Sequence, residues 1–321
     1  MSASNSAVSA TGESAAPPAA SRGADFVRRF TRDRAAVAAL ALLLALSLAA
    51  IWAPWICEHE LHRTPDQLQL MSRFTLGGRE VDVVSPQGIP VGPNPHALLG
   101  VDLLGRDILT RLLFGARVSL VTSLMGTLLA LLVGLAAGLL AGYYGGLVDT
   151  VLSRFVDAMM AIPVLLLAIA LASVLRQGSV AMVILVLALV NWTYLARIIR
   201  AEVLSLKQRE FVEAARATGA GDAAILVRHL LPNLTGPLLV FATLSVAGNI
   251  LLESALSFLG VGIQPPTPSW GNMIQEGIAF YRVAWWLTLF PGLAILVTVT
   301  CLNLVGEAVK EALHPIRRSA S

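Results

Sequence analysis

The sequence predicts an all-α polytopic membrane protein with six transmembrane helices and both termini in the cytoplasm. Three observations carry that reading. Apolar residues fill 56% of the 321 positions and charged residues 13%, with a mean hydropathy of +0.74, whereas a soluble domain carries about a quarter charged residues. Apolar runs of about 20 residues, the length that crosses a bilayer, recur along the chain. The basic residues, finally, are divided unevenly between alternate connections.

Residues 1–34 are expected to be a basic, disordered cytoplasmic tail, because the first 24 are dominated by Ser, Ala, Gly and Pro and such composition buries too little apolar surface to fold. Arg22, Arg28, Arg29, Arg32 and Arg34 precede the charge-free run Ala35–Cys57. A signal peptide has an apolar region of about 7 to 15 residues. This run is longer, and it reads as an uncleaved first span, residues 35–57. Residues 58–116 form an external segment rich in turn residues. The pair Gly77-Gly78 predicts a short hairpin over Leu76–Val84, and Asp107 and Arg111, four apart among leucines, predict an interfacial helix.

Residues 117–308 hold the remaining spans. The second, Val118 to about Ala141, places Gly126, Ala130, Gly134, Gly138 and Gly142 at four-residue intervals, so one helical face is small enough for another backbone to pack closely. Gly142–Asp157 reads as a short inside loop. The third span runs from about Ala158 to Leu175, with Pro163 near its start. The fourth, about Ser179 to Ala196, follows after the minimal turn Arg176-Gln177-Gly178. The fifth covers about Gly236 to Phe258 and the sixth about Ala284 to Gly306, separated by a Gly/Pro-rich loop. Residues 309–321 form a second cytoplasmic tail. With this layout 15 of the 23 basic residues are cytoplasmic, and six of the other eight lie in or at the edge of the long first external segment, Arg117 being the sixth, where the positive-inside rule is weakest.

Between spans four and five lies the one long charged stretch of the second half, Glu202–Asn233. Val203, Leu204, Leu206, Phe211, Val212 and Ala215 mark an apolar stripe, with Lys207, Arg209, Glu210, Glu213 and Arg216 off it, as an amphipathic helix requires. Gly219 is placed to stop that helix in the left-handed conformation. Asp222 is placed to cap a second one, Ala223–Leu230, and Pro232 to punctuate before span five. Ala214, Ala215, Ala217 and Ala220 near the tip let another protein approach the backbone. An ordinary solvated connection is the alternative reading.

Catalytic signatures are missing from the sequence. Neither lysine, Lys207 or Lys310, follows a glycine, so no phosphate-binding loop exists, and H-E-x-x-H and G-x-S-x-G do not occur. Cys57 and Cys301 belong to different spans and suggest neither disulfide nor metal. No basic patch interleaved with aromatics points to nucleic acid. A secondary transporter or channel needs ion-coupling side chains inside the spans, which are nearly absent, and an intramembrane enzyme needs a catalytic constellation. Glu253 is the one conspicuous ionisable group within span five. A charge in hydrocarbon costs about 2.5 to 3.5 kcal/mol near the centre. Glu253 is therefore expected to face a water-filled cavity or a partner subunit, or else to fix span five against its neighbours.

Glu213-Ala214-Ala215, then Gly219, then Leu231-Pro232 resembles the EAA motif of bacterial ABC importer permeases. Gly100–Asp107, Gly142–Asp157, Ser257–Gly260 and Gln264–Gly271 are similar to the peptide and nickel importers of that class, the C-type subunit fitting best. The resemblance covers roughly Ala97–Pro315 and departs in a longer segment Glu58–Pro95. It implies a type I importer fold in the bacterial inner membrane. It also implies that Glu213, Ala214, Ala215, Gly219, Asp222, Leu231 and Pro232 couple the chain to ATPases. The implied partners are a homologous permease subunit, two ATPase subunits that bind the ATP and Mg, and an external substrate-binding protein. Di- or oligopeptides are the implied cargo, with nickel complexes, glutathione or opines as alternatives.

Overall fold

A computed structural model describes residues 19–175 and 178–313. Among them, five helices are long and apolar enough to cross a membrane, and a bent pair makes a sixth crossing if counted as one. They are α2 (Arg34–His59), α3 (Ile108–Tyr144), α6 (Val180–Leu206), α10 (Thr235–Phe258) and α12 (Trp286–Leu313), with α4 (Gly146–Met160) and α5 (Val164–Leu175) as the bent pair. A short helix α1 (Ala19–Phe30) precedes α2, so the expected disorder fails over its described part, and Phe30 packs against the cluster of Ala39 and Leu43 of α2 with Cys301 and Val305 of α12. Asp33 caps α2 by accepting from the Ala35 and Ala36 amides.

The bundle is built on α3 and α6. Each small residue of the α3 stripe faces α6. A Cβ on Gly134 would lie 2.7 Å from the Trp192 carbonyl oxygen, and one on Gly138 would lie 2.7 Å from that of Ala196. Backbone meets backbone, which is the purpose of such a stripe in a membrane where no hydrophobic effect drives helices together. Helices α2 and α12 pack beside this pair, and α10 fills the remaining side.

At one end of the bundle sits a polar head, residues 60–107. Strands β1 (Arg73–Leu76) and β2 (Arg79–Asp82) pair antiparallel with Leu76 opposite Arg79, so the expected hairpin turns at Gly77-Gly78, both with positive φ. The expected interfacial helix is not a separate element. Asp107 is the N-cap of α3, accepting from the Thr110 amide at 2.9 Å, and the helix runs on for 37 residues, about 55 Å. Nor do Asp107 and Arg111 pair. Asp107 binds Arg63 at 2.8 Å, while buried Arg111 binds Asp102 at 2.5 Å and Glu276 at 2.6 Å. Glu276 belongs to α11 (Trp270–Gly277), a helix inside the expected Gly/Pro-rich loop, capped by a Ser269–Asn272 box.

The third span differs most from expectation. Gly142–Asp157 is mostly helix, not loop, and α4 meets α5 at a 92° bend around Ala161–Pro163. Proline cannot continue the ladder of amides from α4, and α5 alone, 12 residues long, reaches only about 18 Å. Arg176 and Gln177 of the expected minimal turn, the first 18 residues and the tail beyond residue 313 lie outside the described residues.

Candidate functional site

The segment Glu202–Asn233 lies at the end of the bundle opposite the head. Its apolar stripe is divided between two helices: Val203, Leu204 and Leu206 close α6, and Phe211, Val212 and Ala215 lie on α7 (Glu210–Ala217). The break at Lys207–Arg209 separates them, and the Lys207 ammonium donates to the Gly142 carbonyl at the end of α3, 2.8 Å away. Buried Val212 and Ala215 of α7 pack in one cluster with Leu195, Ile199, Val203, Ile225, Leu230 and Tyr143. The opposite face of α7 is free: Glu213, Ala214 and Ala217 are all exposed.

Gly219 ends α7 as its sequence predicts. Its φ is +83°, its amide donates to the Arg216 carbonyl at 2.9 Å, and the Ala220 amide reaches back to Ala215 at 3.0 Å. These two bonds are a Schellman closure, which satisfies carbonyls the helix end leaves open.

Asp222 is not the cap it was expected to be. It is the first residue of α8 (Asp222–Ala224), Gly221 holds the cap position, and no side chain bonds an orphan amide there. Its carboxylate instead accepts a 2.7 Å bond from the Tyr143 hydroxyl. Arg216 stands over the same ring, 5.6 Å from its centroid, at the distance of a cation–π contact. Tyr143 thus ties the end of α3 to both limbs of the turn. Sequence reasoning missed this residue, although it stands within the quoted Gly142–Asp157 string.

The expected helix Ala223–Leu230 is α8 followed by a π-helical turn, Ile225–Leu230, in which the Leu231 amide reaches five residues back to Leu226. Nor does Pro232 interrupt the chain. It sits in α9 (Leu231–Asn233), exposed and close to α10, and a widened turn before it suits a residue with no amide hydrogen. Leu231 is half-buried.

Glu253 lies apart from this segment, toward the head end of α10. It is fully buried within the chain. Its carboxylate accepts from Ser119 of α3 and Ser257 of α10, both at 2.9 Å, and Ser119 also accepts the Trp270 amide at 3.4 Å. These contacts join α10 to α3, and α3 to the start of α11.

The segment is a knuckle with an exposed small-residue face, anchored to the ends of three membrane helices. Residues 134–319 match the family described as binding-protein-dependent transport system inner membrane component. The chain belongs to this family. Residues 21–72 of this permease also match the N-terminal TM domain of oligopeptide transport permease C, so the start of the segment treated as a departure lies within a known pattern. The permease is 40% identical over 291 residues to the glutathione transport system permease protein GsiD of Shigella flexneri serotype 5b (strain 8401), covering 91% of this chain and 89% of that protein. It is 38% identical over the same length to GsiD of Escherichia coli O6:K15:H31 (strain 536 / UPEC). Its fold is that of a chain of the MetNI methionine ABC transporter in inward-facing conformations, at TM-score 0.53 and 18% identity, covering 63% of this chain and 96% of that one. This is a multi-pass inner membrane permease of a peptide-type ABC importer.

Proposed function

We propose that the permease couples ATP hydrolysis by docked ATPase subunits to uptake of short peptides, glutathione among them, through the exposed face of α7. The observation that carries this is the knuckle. Glu213, Ala214 and Ala217 are open on one face, while Val212, Ala215, Lys207 and Tyr143 lock the other to α3, α6 and the start of α10. A push on α7 is thereby delivered to three spanning helices together. The 40% identity to a glutathione permease supports cargo of that size and polarity.

In this reading the α7 end is cytoplasmic, with both termini on that side, and the head of residues 60–107 faces the binding protein outside. Glu213, Ala214, Ala215, Gly219, Asp222, Leu231 and Pro232 belong to the docking knuckle, directly or by shaping it. A homologous permease subunit completes the path, the ATPase subunits hold ATP and Mg, and the isolated chain hydrolyses no ATP. Single cysteines test the sidedness: Gly78→Cys should react with an impermeant thiol reagent in intact cells and Ala220→Cys should not. ATP-driven accumulation of labelled glutathione and dialanine in vesicles carrying the assembled complex tests the function. Accumulation of neither, with the ATPases bound, would sink the cargo assignment.

A further inference from the structure

The exposed faces of the spanning helices are not alike. On α3 the outward residues between 121 and 133 are Val121, Leu124, Met125, Leu128, Leu129, Leu132 and Val133, all apolar, as a lipid-facing surface requires. Between α6 and α10 a hollow of about 500 Å³ opens instead, and its wall includes Asn191, Tyr194 and Ser245 from the middle of the two helices. Tyr194 is 56% exposed, with its ring stacked on Phe241 at 6.0 Å. Neither its hydroxyl nor that of Ser245 has a hydrogen-bond partner among the described residues. Asn191 donates to Asn249 at 2.8 Å and to the Leu187 carbonyl at 3.0 Å, and Asn249 donates in turn to Thr127 on α3 at 2.8 Å. This ladder across three helices fixes the Asn191 amide and leaves its Oδ1 without a donor. At the α7 end of the hollow stand Glu202 and Lys310, neither of them in an ion pair among the described residues.

Unpaired polar groups set against lipid cost several kcal/mol each, of the order seen for amide and hydroxyl transfer into hydrocarbon. A hollow that gathers three of them is a surface for water. We infer that the α6–α10 groove is this subunit's share of the aqueous solute path. Asn191, Tyr194 and Ser245 offer hydrogen bonds there to the amide groups of a passing peptide. Glu202 and Lys310, one acid and one base, suit the two charged ends of a zwitterion at the α7 mouth. This rests on the transport reading proposed above.

The labelling uses the assembled complex in lipid nanodiscs, where a small water-soluble thiol reagent reaches both sides, and uptake is read from the same complex in sealed vesicles. The two native cysteines, both buried, set the background in the unsubstituted chain. Tyr194→Cys and Ser245→Cys should be modified and Leu128→Cys should not. Tyr194→Phe keeps the stack on Phe241 and loses one hydrogen bond, so it should raise the half-saturating concentration of glutathione or dialanine about 2- to 10-fold. Unreactive Tyr194→Cys and Ser245→Cys in a complex that still takes up either solute would overturn the inference. So would equal reactivity at Leu128→Cys, or an unchanged half-saturating concentration for Tyr194→Phe. If the unsubstituted complex takes up neither solute, the transport reading fails on its own, and the labelling pattern still decides whether the groove holds water.

Discussion

Along the α3–α6 seam, a methyl group added at Gly126, Gly134, Gly138 or Gly142 would lie within 3 Å of the facing helix; at Gly219, in the turn after α7, it would meet nothing within 4 Å. Both regions depend on glycine, for unrelated reasons. In the seam glycine supplies room, and the helices act as one rigid body because nothing separates their backbones. In the turn glycine supplies a backbone angle, φ +83°, in open space. A lever needs both: a stiff arm and a joint whose shape is set without being wedged in place.

The contrast is broken most readily at the seam. Gly138→Leu would drive a side chain into the Ala196 carbonyl and Ile199, each 2.7 Å from the new Cβ. The helices must part, at a cost of about 1 to 3 kcal/mol or more. Thermal unfolding of the solubilised complex should show a clear loss for Gly138→Leu, and none for a matched leucine at exposed Val121. Equal stability of the two would mean that the seam is not the rigid arm.

Gly219→Val comes next. No clash opposes it, so the whole effect is conformational, about 1 to 3 kcal/mol for a β-branched residue at positive φ. Gly219→Asn, which tolerates that region, should recover most of the loss. Uptake per ATP hydrolysed is the sensitive readout, because a distorted Schellman turn repositions α7 without unfolding the spans. Failure of Gly219→Asn to recover would argue that side-chain bulk, not backbone angle, is what the turn excludes.

Tyr143→Phe should do less. It removes the 2.7 Å bond to Asp222, about 0.5 to 1.5 kcal/mol, while the ring remains beneath Arg216. Hydrogen exchange of the amides in residues 219–230 should quicken while those of α6 stay protected. Equal quickening in both would mean that the tie serves the bundle at large.

The difference between these regions also explains what could be read in advance. The glycine stripe and the α7 stop are local patterns, a four-residue period and a single residue type after an apolar stripe, and both are legible without tertiary knowledge. Asp222 beside Tyr143, and Arg111 beside Glu276, join residues 79 and 165 positions apart, and no local rule selects one partner over the nearer charges available. Asp107 illustrates the trap: its four-residue spacing to Arg111 suggests a pair, but the carboxylate is taken up by the Thr110 cap and by Arg63. The bend between α4 and α5 was signalled by Pro163, yet a proline marks only where a helix breaks and not by how much. The surroundings of Glu253 were hidden because one of its serines, Ser119, comes from a helix 134 positions away.

Glu213→Lys is the smallest intervention and the sharpest test of the joint. Glu213 is exposed in the first turn of α7, and its carboxylate has no hydrogen bond or ion pair among the described residues. Reversing its charge removes an acid from the positive end of the α7 dipole, a loss of about 0.3 to 1 kcal/mol for a surface position, and disturbs no packed group. The permease should therefore insert, fold and unfold at nearly the temperature of the unsubstituted chain. On the docking proposal, whatever it loses is lost at the docked surface. Co-purification of the ATPase should fall, or hydrolysis should proceed without uptake, and a charge reversal on the ATPase residue facing it should restore coupling. A Glu213→Lys permease that folds, binds its ATPase and transports at the original rate would leave α7 as an ordinary connection, and the lever would have to act elsewhere.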